Sequence, residues 1–192
     1  MIIDKLVPPL GDRGRGITFS STFREKSGYS MKKQKIVTIT GKSNSGKTTV
    51  IEKLIKHYSS KGLKVSVVKS MKHQFQIDRE GKDTYRYKEA GVFSWAITNG
   101  EEYALHSKID SPISPLDIAV KNFPDSDIIF IEGYKEGGSA KIEVIGSADE
   151  EPLFKRDGLI KAILTDLNIK SHIPVFSRND IDAAADFIDK NF

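Results

Sequence analysis

The segment IVTITGKSNSGKTT, residues 36–49, constrains the fold more than any other part of the chain. Within it, Gly41-Lys42-Ser43-Asn44-Ser45-Gly46-Lys47-Thr48 fits G-x-x-x-x-G-K-[ST] without mismatch. A β-branched run precedes it. Residues 48–61 follow, with Val50, Ile51, Leu54, Ile55 and Tyr58 spaced along one helical face. Glycine tolerates the left-handed backbone that turns successive N–H groups inward, and a helix beginning there points its positive end at the same place. Strand, glycine-rich loop and helix in that order make a cradle for phosphate. Lys47 is expected to bridge β- and γ-phosphates and the Thr48 hydroxyl to ligate Mg²⁺, with Ser43, Asn44, Ser45 and Thr49 supplying further donors.

The rest of the chain supports one domain around that loop. Gly62 ends the helix and residues 63–69 read as a second strand. A polar stretch and a short helix ending at Gly91 lead to a strand over 92–98. Ser114-Pro115 opens a helix over 116–123, and residues 127–131 (DIIFI) form a continuous apolar strand. Strands over 140–145, 159–165 and 174–177 and a helix from about Asp180 complete the pattern. Strands alternating with helices, several apolar throughout, predict an α/β fold. It is a P-loop NTPase-like, mainly parallel sheet with helices on both faces.

The first thirty residues differ. They hold Pro8-Pro9, four glycines and a Ser/Thr cluster without sustained periodicity, and are expected to be a disordered extension. Met31, which leads directly into the first strand, reads as an alternative start, so the folded unit is expected over residues 31–192.

Composition narrows the function classes. There is no cysteine, hence no disulfide framework, thiolate metal site or catalytic thiol. No apolar stretch approaches the roughly 18 residues of a membrane span. The net charge is +4, but lysines and arginines are interleaved with acids and no aromatic stacking platform accompanies them. Neither a membrane nor a nucleic-acid partner is expected, and the expected location is cytoplasmic.

A P-loop needs a second carboxylate to steady its metal, commonly at the end of a buried strand. Glu132 follows DIIFI and fills that role, whereas Asp127, at the strand's other end, is the poorer candidate. Lys47 and Glu132 are therefore the candidate catalytic pair, and Thr48 and Glu132 the metal ligands. Asp78, Lys82, Asp83 and Arg86 follow the second strand, on the side where open α/β sheets bind ligands, and Asp78 and Lys82 are candidates for metal and phosphate contact. His73 stands alone and reads as a surface residue. For the base, Ser107-Lys108-Ile109-Asp110 loosely matches a guanine motif but precedes DIIFIEG. Asp166, after LIKAIL, lies in the right order to accept from guanine N1–H and N2–H. From motifs alone, GTP and ATP both remain open.

Taken together, GKSNSGKTT, VVKSMKHQFQIDREGKDTYRYKEAG, DIIFIEGYK, KIEV and AILTD resemble the molybdopterin-guanine dinucleotide biosynthesis adapter proteins. The resemblance covers residues 34–192 and is carried by Phe75, Asp78, Gly81, Lys82 and Asp83, by Ala90-Gly91, and by Glu132-Gly133-Tyr134-Lys135. It implies a dimeric GTP-binding protein using Mg²⁺, with slow hydrolysis. That protein assists the guanylyltransferase joining GMP to molybdopterin, and other molybdenum cofactor proteins are further partners. The chain departs from the pattern at Ser70 and Lys72, where histidines are usual, and at Ala140 and Ile145-Gly146, where the family favours proline and then arginine. The alternative from a different class is a P-loop kinase or ATP-dependent synthetase, with Asp78, Lys82 and Arg86 on its second substrate.

Overall fold

The computed structural model describes residues 34–192 apart from residues 74, 76, 78 and 150. The N-terminal extension, the alternative start at Met31 and the candidate Asp78 lie outside the described residues.

The chain opens with β1 (Lys35–Thr40), passes through the glycine-rich loop into α1 (Lys47–Ser60), and returns in β2 (Val65–Lys69). The helix α2 (Asp83–Glu89), strands β3 (Ser94–Thr98) and β4 (Tyr103–Ser107) and helix α3 (Pro115–Asn122) follow. Then come β5 (Ile128–Glu132), β6 (Lys141–Val144), a 3-10 turn (Leu153–Lys155), β7 (Ile160–Leu164), β8 (Val175–Phe176) and α4 (Ile181–Asn191). Six strands form one sheet in the order β2-β5-β1-β6-β7-β8, with every pairing parallel.

Local chemistry sets the helix ends. Gly62 (φ +76°) stops α1 with Gly62 N–H donating to Ser59 and Leu63 N–H to Tyr58, and Gly91 (φ +90°) stops α2 in the same way. The Ser114 hydroxyl accepts from Asp117 N–H ahead of Pro115, and the Asp180 carboxylate caps α4 from Ala183 N–H.

The core is divided by the sheet. On one face Val50, Ile51, Leu54 and Tyr58 of α1 and Ala184, Ala185 and Ile188 of α4 pack on Val37, Ile39, Phe130, Ile142 and Leu164. On the other, α3 covers Val68, Ile129 and Ile131, while the 3-10 turn brings Phe154 against Ile145, Ile160 and Ile163. All five residues of β5 are buried, as its uninterrupted apolar run requires of a central parallel strand. Helices on both faces of a parallel sheet match the expected fold class.

One expectation needs correction. The strand near 92–98 does not join the parallel sheet: β3 pairs antiparallel with β4 in a separate two-stranded sheet. The turn between them contains Asn99-Gly100, whose Asn99 side chain accepts from the N–H groups of Glu101 and Glu102. Asn-Gly is a strong short-range hairpin signal, and it makes β4 a neighbour of β3 before any parallel partner is available.

Candidate functional site

Strand order puts β1 between β5 and β6, so the chain diverges to both sides at the carboxyl end of β1. That divergence opens a crevice, which is where open α/β sheets take ligands. The glycine-rich loop sits there. Gly41 (φ +139°) and Gly46 (φ +93°) hold positive φ, and Asn44 (φ 63°) does so without being glycine. Gly41 is irreplaceable on space as well, since a Cβ would lie 2.3 Å from the Val144 carbonyl oxygen. Gly46 is the N-cap of α1 and offers no side-chain hydrogen bond, and no acidic residue occupies the first turn. The leading N–H groups and positive dipole end of a 14-residue helix are thus not neutralised by its own cap or first turn. The Ser45 hydroxyl is fully buried and has no hydrogen-bond partner among the described residues.

A cleft of about 500 Å³ is lined by Ser43, Asn44, Lys47, Thr48, Lys69 and Glu132, among others. The Thr48 hydroxyl donates to Glu132 Oε1 at 3.0 Å, and Lys69 Nζ stands 3.7 Å from the same oxygen. Register explains the meeting: Glu132 is level with Ile39 of β1 on one side and with Lys69 of β2 on the other. Lys47 Nζ folds back onto the Lys42 carbonyl. No group of three or more His, Asp or Glu side chains suited to a metal occurs among the described residues. A hydroxyl and one carboxylate still suit Mg²⁺, which usually keeps several waters and takes its other ligands from substrate phosphates.

A second opening of about 230 Å³ adjoins the first, sharing Gly46 and Thr49 and bounded by Lys53, Asp166, Arg178 and Asn179. Asp166 lies two residues beyond the end of β7 and faces the loop after β8. Its Oδ1 accepts from the Ser177 hydroxyl at 2.8 Å and Arg178 N–H at 3.0 Å, and its Oδ2 from Arg178 Nε at 2.9 Å. The Ser177 hydrogen bond outweighs opposition from burial and, joined by the hydrogen bonds and charge of Arg178, holds the Asp166 carboxyl below the usual carboxylate range. Arg178 Nη1 also donates to the Ser45 carbonyl at 3.2 Å, tying this loop to the P-loop. From α1, Lys53 donates to Asn179 Oδ1 at 2.7 Å.

Of the candidates, Ser43, Asn44, Gly46, Lys47, Thr48, Thr49 and Glu132 line the first opening and Asp166 the second, while Gly41 and Ser45 belong to the loop and line neither. Lys82 also lines neither and stands at the N-terminus of α2. Arg86 lies on α2 beside Asp83 and is largely exposed. Asp127, at the opposite end of β5, accepts from Lys64 N–H. His73 is exposed. Sequence reasoning missed Lys69 and Arg178, each placed by a strand pairing rather than by a motif.

The sequence profile of the family described as molybdopterin guanine dinucleotide synthesis protein B matches residues 36–166. The chain belongs to this family. A molybdopterin-guanine dinucleotide biosynthesis adapter protein from Haemophilus influenzae is 35% identical over 153 residues, covering 79% of this chain and 85% of that protein. Its Escherichia coli counterpart is 28% identical, covering 76% and 86%. Among solved structures, that of Bacillus subtilis MobB superimposes with a TM-score of 0.63 at 26% identity, covering 81% of this chain and 96% of that one. A crystal structure of molybdopterin-guanine biosynthesis protein B gives 0.66 at 23% identity, covering 82% and 99%.

The segment KIEV (Lys141–Val144) has structural work in this chain. Lys141 is 2% exposed and bonds Asp157 at 2.8 Å, and Glu143 accepts from Leu153 and Phe154 N–H to hold the 3-10 turn. Burial of Asp157 opposes ionisation, but its hydrogen bonds from Lys141 and Leu159 and the Lys141 charge outweigh that and lower its pKa. Just beyond, at Gly146, a Cβ would lie 2.7 Å from Ser45 Cα. This backbone therefore packs against the P-loop itself.

Proposed function

We propose that this chain is a GTP-binding adapter of molybdopterin guanine dinucleotide biosynthesis. It binds the nucleotide with Mg²⁺, hydrolyses it slowly and assists the guanylyltransferase that attaches GMP to molybdopterin. The observation that carries the nucleotide part is the 3.0 Å approach of Thr48 Oγ1 to Glu132 across the mouth of the P-loop. This hydroxyl and this carboxylate are the residues that would hold Mg²⁺, which would offset phosphate charge there. Lys47 and the N–H groups of the loop neutralise the phosphates, Lys69 supplies a further positive charge, and the base extends toward Asp166.

Slow turnover follows from the lining. Among the described residues of the phosphate cleft, the side chains are lysine, hydroxyl, amide and a single carboxylate, with no arginine or glutamine. Such groups bind phosphate and metal. An arginine finger or a water-orienting glutamine is what raises intrinsic rates elsewhere, by about 10³–10⁵ for the arginine. Turnover on the order of 10⁻³ s⁻¹ is expected without a partner.

The adapter works as a homodimer in the cytoplasm, with the guanylyltransferase and other molybdenum cofactor proteins as its partners. Support for the dimer comes from the β3–β4 hairpin, which leaves Ile97 54%, Leu105 63% and Tyr103 76% exposed on its two faces. Residues so apolar on both sides of a ribbon suit burial against a second copy.

Calorimetric titration of GTP, GDP and ATP, with and without Mg²⁺, tests the reading. Guanine preference, Mg²⁺-dependent tightening by the triphosphate and loss of binding in Lys47→Ala are expected. A preference for ATP with turnover on a small acceptor would replace it with the kinase or synthetase reading.

A further inference from the structure

We infer that Arg178, held in place by Asp166, is the residue that reads the base, and that it does so through the acceptor edge of guanine, O6 and N7. The inference rests on the nucleotide-site reading above and concerns its unassigned end.

The argument begins with what Asp166 has left to give. A carboxylate offers about four lone-pair positions, and three here are taken by Ser177 Oγ, Arg178 N–H and Arg178 Nε. Accepting guanine N1–H and N2–H together needs a free position on each oxygen. Oδ1 already has two donors, so direct reading by Asp166 requires one of these bonds to break. The pairing with Arg178 is charge-assisted and backed by a backbone N–H, which makes it the more expensive kind to give up.

Arg178 has the complementary surplus. Nε is committed to Asp166 and Nη1 donates once, to the Ser45 carbonyl, while Nη2 makes no hydrogen bond among the described residues. The guanidinium is packed over the loop, since a Cβ on Gly46 would lie 3.1 Å from Nη1. The segment is fixed from one further side by Lys53 Nζ of α1, which donates to the Arg178 carbonyl at 3.3 Å and to Asn179 Oδ1 at 2.7 Å. Three elements thus hold one fork of donors at the rim of an opening that shares Gly46 and Thr49 with the phosphate cleft.

A donor fork selects among purines. Guanine presents two adjacent acceptors, O6 and N7, whereas adenine presents N7 beside an N6 amine that is itself a donor. The bidentate arginine–guanine pair discriminates against the wrong base by roughly 5- to 150-fold. Asp166 is then a positioning residue, and the exocyclic N2 amine of guanine goes unread.

The experiment is titration of GDP, IDP, 7-deaza-GDP and ADP into the full chain with Mg²⁺, followed by Arg178→Met and Arg178→Lys. IDP keeps O6 and N7 and lacks only the N2 amine, so it should bind within about twofold of GDP, a difference well under that of one lost bidentate pair. 7-Deaza-GDP, lacking N7, and ADP should both bind more weakly. In Arg178→Met the GDP-to-ADP ratio should fall toward one. Arg178→Lys, which keeps the charge without the fork, should lose most of the ratio too.

IDP binding as weakly as ADP would overturn the inference and return base reading to Asp166. Equal binding of GDP and ADP to the unaltered chain, or an unchanged ratio in both folded variants, would also overturn it. Failure of all four diphosphates to bind, with Lys47→Ala indistinguishable from the parent chain, would instead sink the nucleotide-site reading.

Discussion

Replacing Gly146 by alanine probes a close backbone contact between the segment after β6 and the P-loop. The added Cβ would meet Ser45 Cα at 2.7 Å, its carbonyl oxygen at 3.0 Å and its carbonyl carbon at 3.1 Å. Ordinary contact begins near 3.4 Å, so the two backbones must part by about 0.7 Å. Neither gives way easily, because Ser45 is fully buried and Gly146 directly follows the buried residues Val144 and Ile145. Gly146 does not have a left-handed φ, so strain of that kind plays no part. Overpacking of this sort costs about 1–3 kcal/mol. Glycine-to-alanine replacement at an unstrained site returns about 0.4–1 kcal/mol through the unfolded chain.

A net loss of about 1–2 kcal/mol is expected, which lowers Tm by about 2–8 °C for a domain of this size. The functional effect should be larger than the thermal one. Moving Ser45 displaces N–H groups that the proposed phosphate site uses, and losing one charge-assisted hydrogen bond costs about 1.5–3 kcal/mol, roughly 10- to 150-fold in affinity. Gly158→Ala is the internal control. Nothing lies within 4 Å of its Cβ position and its φ is unstrained, so it should be stabilising by about 0.4–1 kcal/mol. Thermal unfolding and GDP titration of both variants decide the matter. If Gly146→Ala gained stability like Gly158→Ala and kept GDP affinity within a factor of two, the close approach would not exist in solution.

Three other outcomes follow from the same geometry. Glu132→Gln keeps an acceptor for Thr48 but removes the charge on the metal, so Mg²⁺-dependent tightening of GTP should fall at least tenfold with Tm little changed, as read by titration with and without Mg²⁺. Asp157→Asn strands the buried Lys141 ammonium and should destabilise by about 3 kcal/mol near neutral pH, the lower end for a buried pair because Asp157 is partly exposed. The Asp157 pKa is depressed in the folded state. Its contribution is therefore full above the ordinary carboxylate pKa and lost as pH falls through the lowered value. The stability gap to the parent should narrow below about pH 4 in urea unfolding. Leu105→Asp should shift light-scattering mass toward the monomer if the hairpin is the dimer contact, and an unchanged dimer would place the contact elsewhere.

How much of this was legible beforehand depended on how local each determinant is. The P-loop reads directly because strand, loop and helix are consecutive, and each glycine answers to a φ or a contact within that stretch or just beside it. Glu132 reads because five buried residues in a row can only be a central strand, whose end lies at the crevice. Lys141 and Glu143 do not read correctly from pattern. Alternation in KIEV suggests one solvated face, yet all four residues are buried, because each charge has its partner 10–16 residues on, in the loop around the 3-10 turn. The β3–β4 hairpin was signalled by Asn99-Gly100, but a run of strands fitting a parallel α/β pattern masked a turn that competes locally.

Lys69 and Arg178 belong to a different category. Nothing in VVK or FSR announces a site. Lys69 reaches Glu132 only because β2 lies beside β5, some sixty residues on in sequence, and Arg178 reaches the P-loop only because β7 and β8 stack outward from β6. In a parallel sheet every strand delivers its carboxyl end to the same edge, so strand order alone decides which loops meet. Motif reading finds the residues whose spacing does chemistry along the chain. Contacts made across the sheet follow from strand order instead, and for this chain they bring Lys69 to Glu132 and Arg178 to the P-loop.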